Sequence, residues 1–152
     1  MFTLIRPLAA VLLAVFAAYC ATAYEPLYGE GANLGTFPLW TAGISFVVGW
    51  VFLGGRLGRS LWFSAYIGVQ AVVLAALATG MVMGVREVFI LGYRRRYPEV
   101  IDAINGYFDI LGDWFGKALE RDVLILLGVG GVVLGLVLHL LMKGLERRRN
   151  DR

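Results

Sequence analysis

"ILGYRRRYPEVIDAINGYFDILGDWFGKALERD", Ile90 to Asp122, is the one long polar interruption in an otherwise apolar chain. It opens with three consecutive arginines and continues with regularly spaced acids. Pro98 suits the first turn of a helix. Asp102, Asp109, Asp113 and Glu120 follow at spacings of 7, 4 and 7 residues. At about 100° per residue, these four fall within about 20° of one line. Val100, Ile104, Tyr107, Phe108, Leu111, Phe115 and Ala118 lie on the opposite side. The pattern predicts an amphipathic helix over about 98–119 with a narrow acidic ridge. Such a helix lies flat on a bilayer, acids to water and aromatics to lipid, or caps one end of a bundle. Gly106, Gly112 and Gly116 weaken it in isolation, so the membrane or a partner must order it.

The sequence on either side of this stretch is that of a membrane protein. Of 152 residues, 59% are hydrophobic and only 16% charged, with a mean hydropathy of +0.74. A soluble domain carries about a quarter charged residues. A transmembrane helix needs about 20 mostly apolar residues. Four segments meet that need: about 4–23, 37–53, 61–85 with the pattern extending as far as 91, and 123–142. All four are apolar around their whole circumference, as lipid-buried helices are. The expected fold class is therefore an all-α membrane protein. Four transmembrane helices form a single domain over 1–152, with one interfacial amphipathic helix between spans three and four. A basic tail, 143–152, closes the chain.

The first segment has a second reading. "MFTLIRPLAAVLLAVFAAYCATA" has a basic start, an apolar middle and an Ala-Thr-Ala ending, as a secretory signal peptide does. Its apolar run is long for a signal peptide, which favours a retained helix.

Lysine and arginine accumulate in short cytoplasmic loops. With both termini cytoplasmic, the inner side holds Arg6, Arg56, Arg59 and the tail residues Lys143, Arg147, Arg148, Arg149 and Arg152. The outer side holds Arg94, Arg95, Arg96, Lys117 and Arg121, so eight stand against five, with Arg86 left aside near the interface. Trp50 and Trp62 flank the "LGGRLGRS" turn, and Trp40, Tyr24 and Tyr28 mark the other interface, as aromatic belts do. The expected orientation has both termini cytoplasmic, which makes the opening stretch periplasmic.

Little in the sequence points to chemistry. Cys20 is the single cysteine and His139 the single histidine. Neither an internal disulfide, a CxxC pair nor a cysteine-rich metal site is available. Walker, serine-elbow and HExxH motifs are missing. No enzyme activity and no cofactor are expected. His139, Gln70 and Thr79 read as polar groups making interhelical hydrogen bonds, or as interfacial residues. Arg86 and Glu87 fall in the outer headgroup region, because Leu61 to Val85 already covers about 37 Å. Arg56, Arg59, Arg86, Arg94, Arg95 and Arg96 are candidate contacts for an oxyanion or, more simply, for lipid phosphates. The acidic ridge of Asp102, Asp109, Asp113 and Glu120 is a candidate partner surface. Gly80-x-x-x-Gly84 and Gly131-x-x-x-Gly135 fit close helix packing, within one chain or between copies. The basic tail suits anionic lipid rather than nucleic acid.

Three stretches together resemble the TrgA family of small bacterial inner-membrane proteins: "GEGANLGTF" (Gly29 to Phe37), "GWVFLGGRLGR" (Gly49 to Arg59) and "RRRY" (Arg94 to Tyr97). Length and span spacing are similar, so the resemblance covers nearly the whole chain. The family is named for tellurite resistance, so the resemblance implies a role in tolerating that oxyanion. It supplies no mechanism and no catalytic residues. Two functional classes follow: a non-enzymatic accessory or scaffold protein bound to another membrane protein or to its own copies, and a small transporter or channel for an oxyanion or other ion.

Overall fold

The computed structural model describes residues 5–24, 35–56, 60–93 and 99–150. These form five helices. Helix α1 is Ile5–Tyr24. Helix α2 starts at Phe37–Val48, passes through a π-helical turn over Gly49–Leu53 and ends with Gly54–Arg56. Helix α3 is Leu61–Tyr93, α4 is Val100–Ala118 and α5 is Arg121–Asn150. Helices α1, α2, α3 and α5 are each long and apolar enough to cross a membrane. The chain is an all-helical membrane protein.

The four spans form a closed ring in which each packs on its neighbours in the order α1, α2, α3, α5 and back to α1. Lipid tails are as apolar as leucine, so burial alone does not hold such helices together; close van der Waals contact does. Glycine provides that contact. A Cβ on Gly131 would lie 2.8 Å from the Cα of Val69, and one on Gly135 would collide with the carbonyl of Ser64. Gly68 returns the contact against Gly131 and Gly135. These approaches make α3 and α5 antiparallel neighbours along the broadest interface in the ring. Helix α1 meets α2 in the same way: Gly49 lies against Ala9 and Ala10, and Gly54 against Arg6.

The π turn sits at this second contact. The Gly54 N–H donates to the Gly49 carbonyl, five residues back. The widened turn brings two glycines separated by five residues onto α1. Gly54 and Gly55 therefore belong to the helix, although "LGGRLGRS" reads in sequence as a turn.

Ala9, Leu13, Leu53, Ile67, Ala71, Val72, Ala75, Leu134 and Leu138 form the buried core. Outside it, Val11, Val15, Leu39, Val51, Leu77, Met81, Val133 and Leu140 are all exposed. An apolar exterior of this kind is what a bilayer covers. Helix α1 contributes Ala9, Ala10 and Leu13 to the interior, so it is an integral wall of the ring.

Two helices run further than hydropathy indicates. Helix α3 continues to Tyr93, and α5 continues through the basic segment as far as Asn150. Backbone hydrogen bonding does not stop where lipid does, so a charged extension of a span remains helical.

Helix α4 spans Val100–Ala118, starting two residues later than the sequence pattern suggests. Its Tyr107 and Leu111 pack against Gly84, and its Phe115 packs against Gly80, so it runs antiparallel to the C-terminal half of α3. The apolar face is thereby divided. Tyr107, Leu111 and Phe115 are half-buried, while Val100, Ile104 and Phe108 stay exposed. The glycine pair of α3 is thus filled by aromatic side chains from the same chain, and Gly131 and Gly135 are also occupied within it.

Candidate functional site

The candidate residues fall at the two ends of the ring and in its interior. At the end formed by the α1 start, the α2 terminus and the last part of α5, Arg6, Arg56, Lys143 and Arg147 are all exposed. The Arg56 guanidinium lies 4.2 Å from the centroid of the Phe52 ring, a cation–π contact. Arg86 is exposed on α3 and Glu87 half-buried. Arg86 is 25 residues beyond Leu61 on the same helix, about 37 Å along the axis. Arg56 and Arg86 therefore cannot share one anion. Arg59, Arg94, Arg95, Arg96 and Pro98 lie outside the described residues, as does the stretch 25–34 that carries most of "GEGANLGTF".

On α4, Asp102, Asp109 and Asp113 are exposed on the side away from α3. Lys117 donates to Asp113 at 3.0 Å, one helical turn on, so the ridge is partly neutralised at that point. Glu120 lies beyond the helix, in the link to α5. Its N–H donates to the Lys117 carbonyl, and its own carbonyl accepts from Leu124 N–H to begin α5. The ridge along α4 itself is thus Asp102, Asp109 and Asp113.

Among the described residues the buried polar side chains are Thr41, Ser45, Ser64, Thr79 and His139, and none carries a fixed charge. Ser64 Oγ and His139 Nδ1 are hydrogen-bonded at 3.0 Å between α3 and α5. The hydroxyl donates when the imidazole proton is on Nε2 and accepts when it is on Nδ1. The pair sits beside the Gly135–Ser64 contact, where the two backbones are too close for water. Its partner could not be read from sequence, because Ser64 lies 75 residues away and nothing local marks it.

The other hydroxyls converge elsewhere. A cavity of about 140 Å³ lies inside the ring, toward the end that α4 covers. Phe16 and Cys20 from α1 and Phe37 from α2 form part of its wall. Trp114 and Phe115 from α4 form its roof. Thr41, Ser45 and Thr79 also line it. Thr41 Oγ1 donates back to the Phe37 carbonyl at 2.9 Å. Ser45 Oγ and Thr79 Oγ1 are buried without any hydrogen-bond partner. For Thr79 this corrects the expectation of an interhelical hydrogen bond. Gln70 is half-buried.

Comparison with protein-family models, with curated proteins and with solved structures finds no match. Within "GWVFLGGRLGR", Gly49 and Gly54 are the glycines that seat α2 on α1.

Proposed function

We propose that the protein is a non-enzymatic accessory subunit of a bacterial inner membrane, and that it contributes to tellurite tolerance through a partner protein. The observation that supports this is the surface of α4. Once docked on α3, this helix leaves Asp102 and Asp109 exposed beside Val100, Ile104 and Phe108. Acids flanking exposed aromatic and aliphatic groups suit a partner that is basic at its rim and apolar at its centre. The interior offers little to a passing ion: among the described residues the buried histidine, His139, is hydrogen-bonded to Ser64 in the α3–α5 seam, and the other buried polar side chains are hydroxyls. A lone thiol within a span, Cys20, is poorly suited to reducing tellurite, since one cysteine offers no partner for a disulfide.

The same reading puts both termini in the cytoplasm, with Arg6, Arg56, Lys143 and Arg147 at the cytoplasmic headgroups. A reporter fused after Asn105 is then expected to register periplasmic exposure. A cytoplasmic signal would reverse the orientation. For function, cells lacking the protein should lose tellurite tolerance and regain it with the wild-type chain. The Asp102→Asn/Asp109→Asn/Phe108→Ala variant should reach the membrane at normal levels yet fail to restore tolerance. Tellurite flux through liposomes holding only the purified protein, lost in Arg86→Ala, would sink the accessory reading and establish a transporter.

A further inference from the structure

We infer that the cavity roofed by α4 binds an uncharged hydrocarbon group of about six carbons, either a free lipophilic molecule or the end of a bilayer lipid tail. The inference is independent of the accessory role.

The volume sets the size. An apolar cavity of about 150 Å³ takes up benzene, and this one, at about 140 Å³, is comparable. The wall sets the chemistry. Leu13 and Phe16 of α1, Val72 and Ala75 of α3, Trp114 of α4 and Leu127 of α5 contribute to it, and no charged side chain does. An ionised ligand would lose its hydration there with nothing in return. A hydrocarbon has no such hydration to lose, and it gains dispersion contact with aliphatic and aromatic atoms. The supply is at hand, because the helices below the α4 roof are the membrane spans and hydrocarbon is their surrounding medium.

The hydroxyls in the wall do not alter this preference. Thr41 Oγ1 donates to the Phe37 carbonyl at 2.9 Å. Ser45 Oγ and Thr79 Oγ1 have almost no exposed surface, so neither is presented to a ligand. A water molecule needs about two to four polar partners to settle in a cavity, and these two hydroxyls give it none. The wall therefore favours hydrocarbon over water, and over a ligand that carries a hydroxyl of its own. Alanine at position 75, which is buried and faces the cavity, leaves room that a larger side chain would take.

The test uses the full chain in lipid nanodiscs, with fluorobenzene as the probe and fluorine NMR as the readout. A second resonance should appear beside that of fluorobenzene dissolved in the lipid, and should saturate at no more than one probe per protein. Phenol should displace it at least about fivefold less well than benzene, once each is corrected for its partition into the lipid, because the phenol hydroxyl finds no partner. Ala75→Leu occupies much of the space, so it should abolish the bound resonance while the protein still folds. Nanodiscs whose lipid tails end in a trifluoromethyl group identify the source. A protein-bound tail resonance that Ala75→Leu removes assigns the site to a lipid tail; its absence, with fluorobenzene bound, assigns the site to a free molecule. No bound resonance from either probe would overturn the proposal. So would displacement by phenol as effective as by benzene, or a bound resonance at full strength in folded Ala75→Leu. The fluorobenzene and phenol measurements need no substitution and decide the matter even where the variant misfolds.

Discussion

The two halves of the ring use the same small polar residues to opposite ends. Around Ser64, Gly68, Gly131 and Gly135, α3 and α5 approach until backbone meets backbone, and the one polar pair, Ser64–His139, is satisfied. Around Ser45 and Thr79 the helices are held apart by larger side chains, a cavity remains, and both hydroxyls are unsatisfied. Glycine makes the difference. In the first half each glycine faces backbone on the neighbouring helix; in the second, Gly80 faces the ring of Phe115. The seam holds the ring shut, while the cavity half retains space for something else.

Closing off the seam should give the largest effect. Gly135→Val puts a branched side chain where even one Cβ collides with the Ser64 carbonyl, and α3 and α5 must separate. A loss of about 3 kcal/mol is expected, at the upper end of overpacking costs, measured by unfolding in mixed micelles. If stability were unchanged, the seam would not be what holds the ring. His139→Ala should rank second. It strands the Ser64 hydroxyl and leaves a gap, for a loss of about 1–2 kcal/mol; adding Ser64→Ala should recover part of it, a coupling that a double-mutant cycle measures. The smallest effect should have the opposite sign. Thr79→Val removes an unpartnered hydroxyl at nearly constant shape, so the ligand-free protein should gain about 0.5–1 kcal/mol. A loss there would mean that Thr79 is hydrogen-bonded in the membrane, and the contrast between the halves would fail.

The four spans and the amphipathic helix were legible in the sequence because hydropathy and the spacing of Asp102, Asp109 and Asp113 report directly on which atoms avoid water. The end of α3 was less legible, since Arg86 and Glu87 interrupt hydropathy without interrupting the helix. The glycine pairs were legible as packing surfaces, but not what fills them: Phe115 against Gly80 depends on α4 lying back along α3, which no spacing encodes. The arginine and acid candidates came from charge alone. The structure disperses the arginines it describes and removes Glu120 from the helical ridge. The cavity left no sequence signal, because five helices contribute its wall and its existence depends on the sum of their side-chain sizes. Ser45 and Thr79 are the nearest thing to a trace, being hydroxyls in spans with no charge nearby.

Helix α3 contains 33 residues and so is about 50 Å long. To fit within a hydrocarbon layer of about 30 Å it would have to lean by about 53°, beyond the roughly 40° limit of observed tilts. Part of it must therefore stand in the headgroups or the water. For an upright helix with Leu61 at one edge of the hydrocarbon, Gly80, about 29 Å along the axis, comes to the other edge. The Phe115 ring seated on it, and Trp114 beside it, thus close the cavity at the depth where lipid gives way to water. The thickness of the surrounding bilayer sets whether that roof is wetted or submerged.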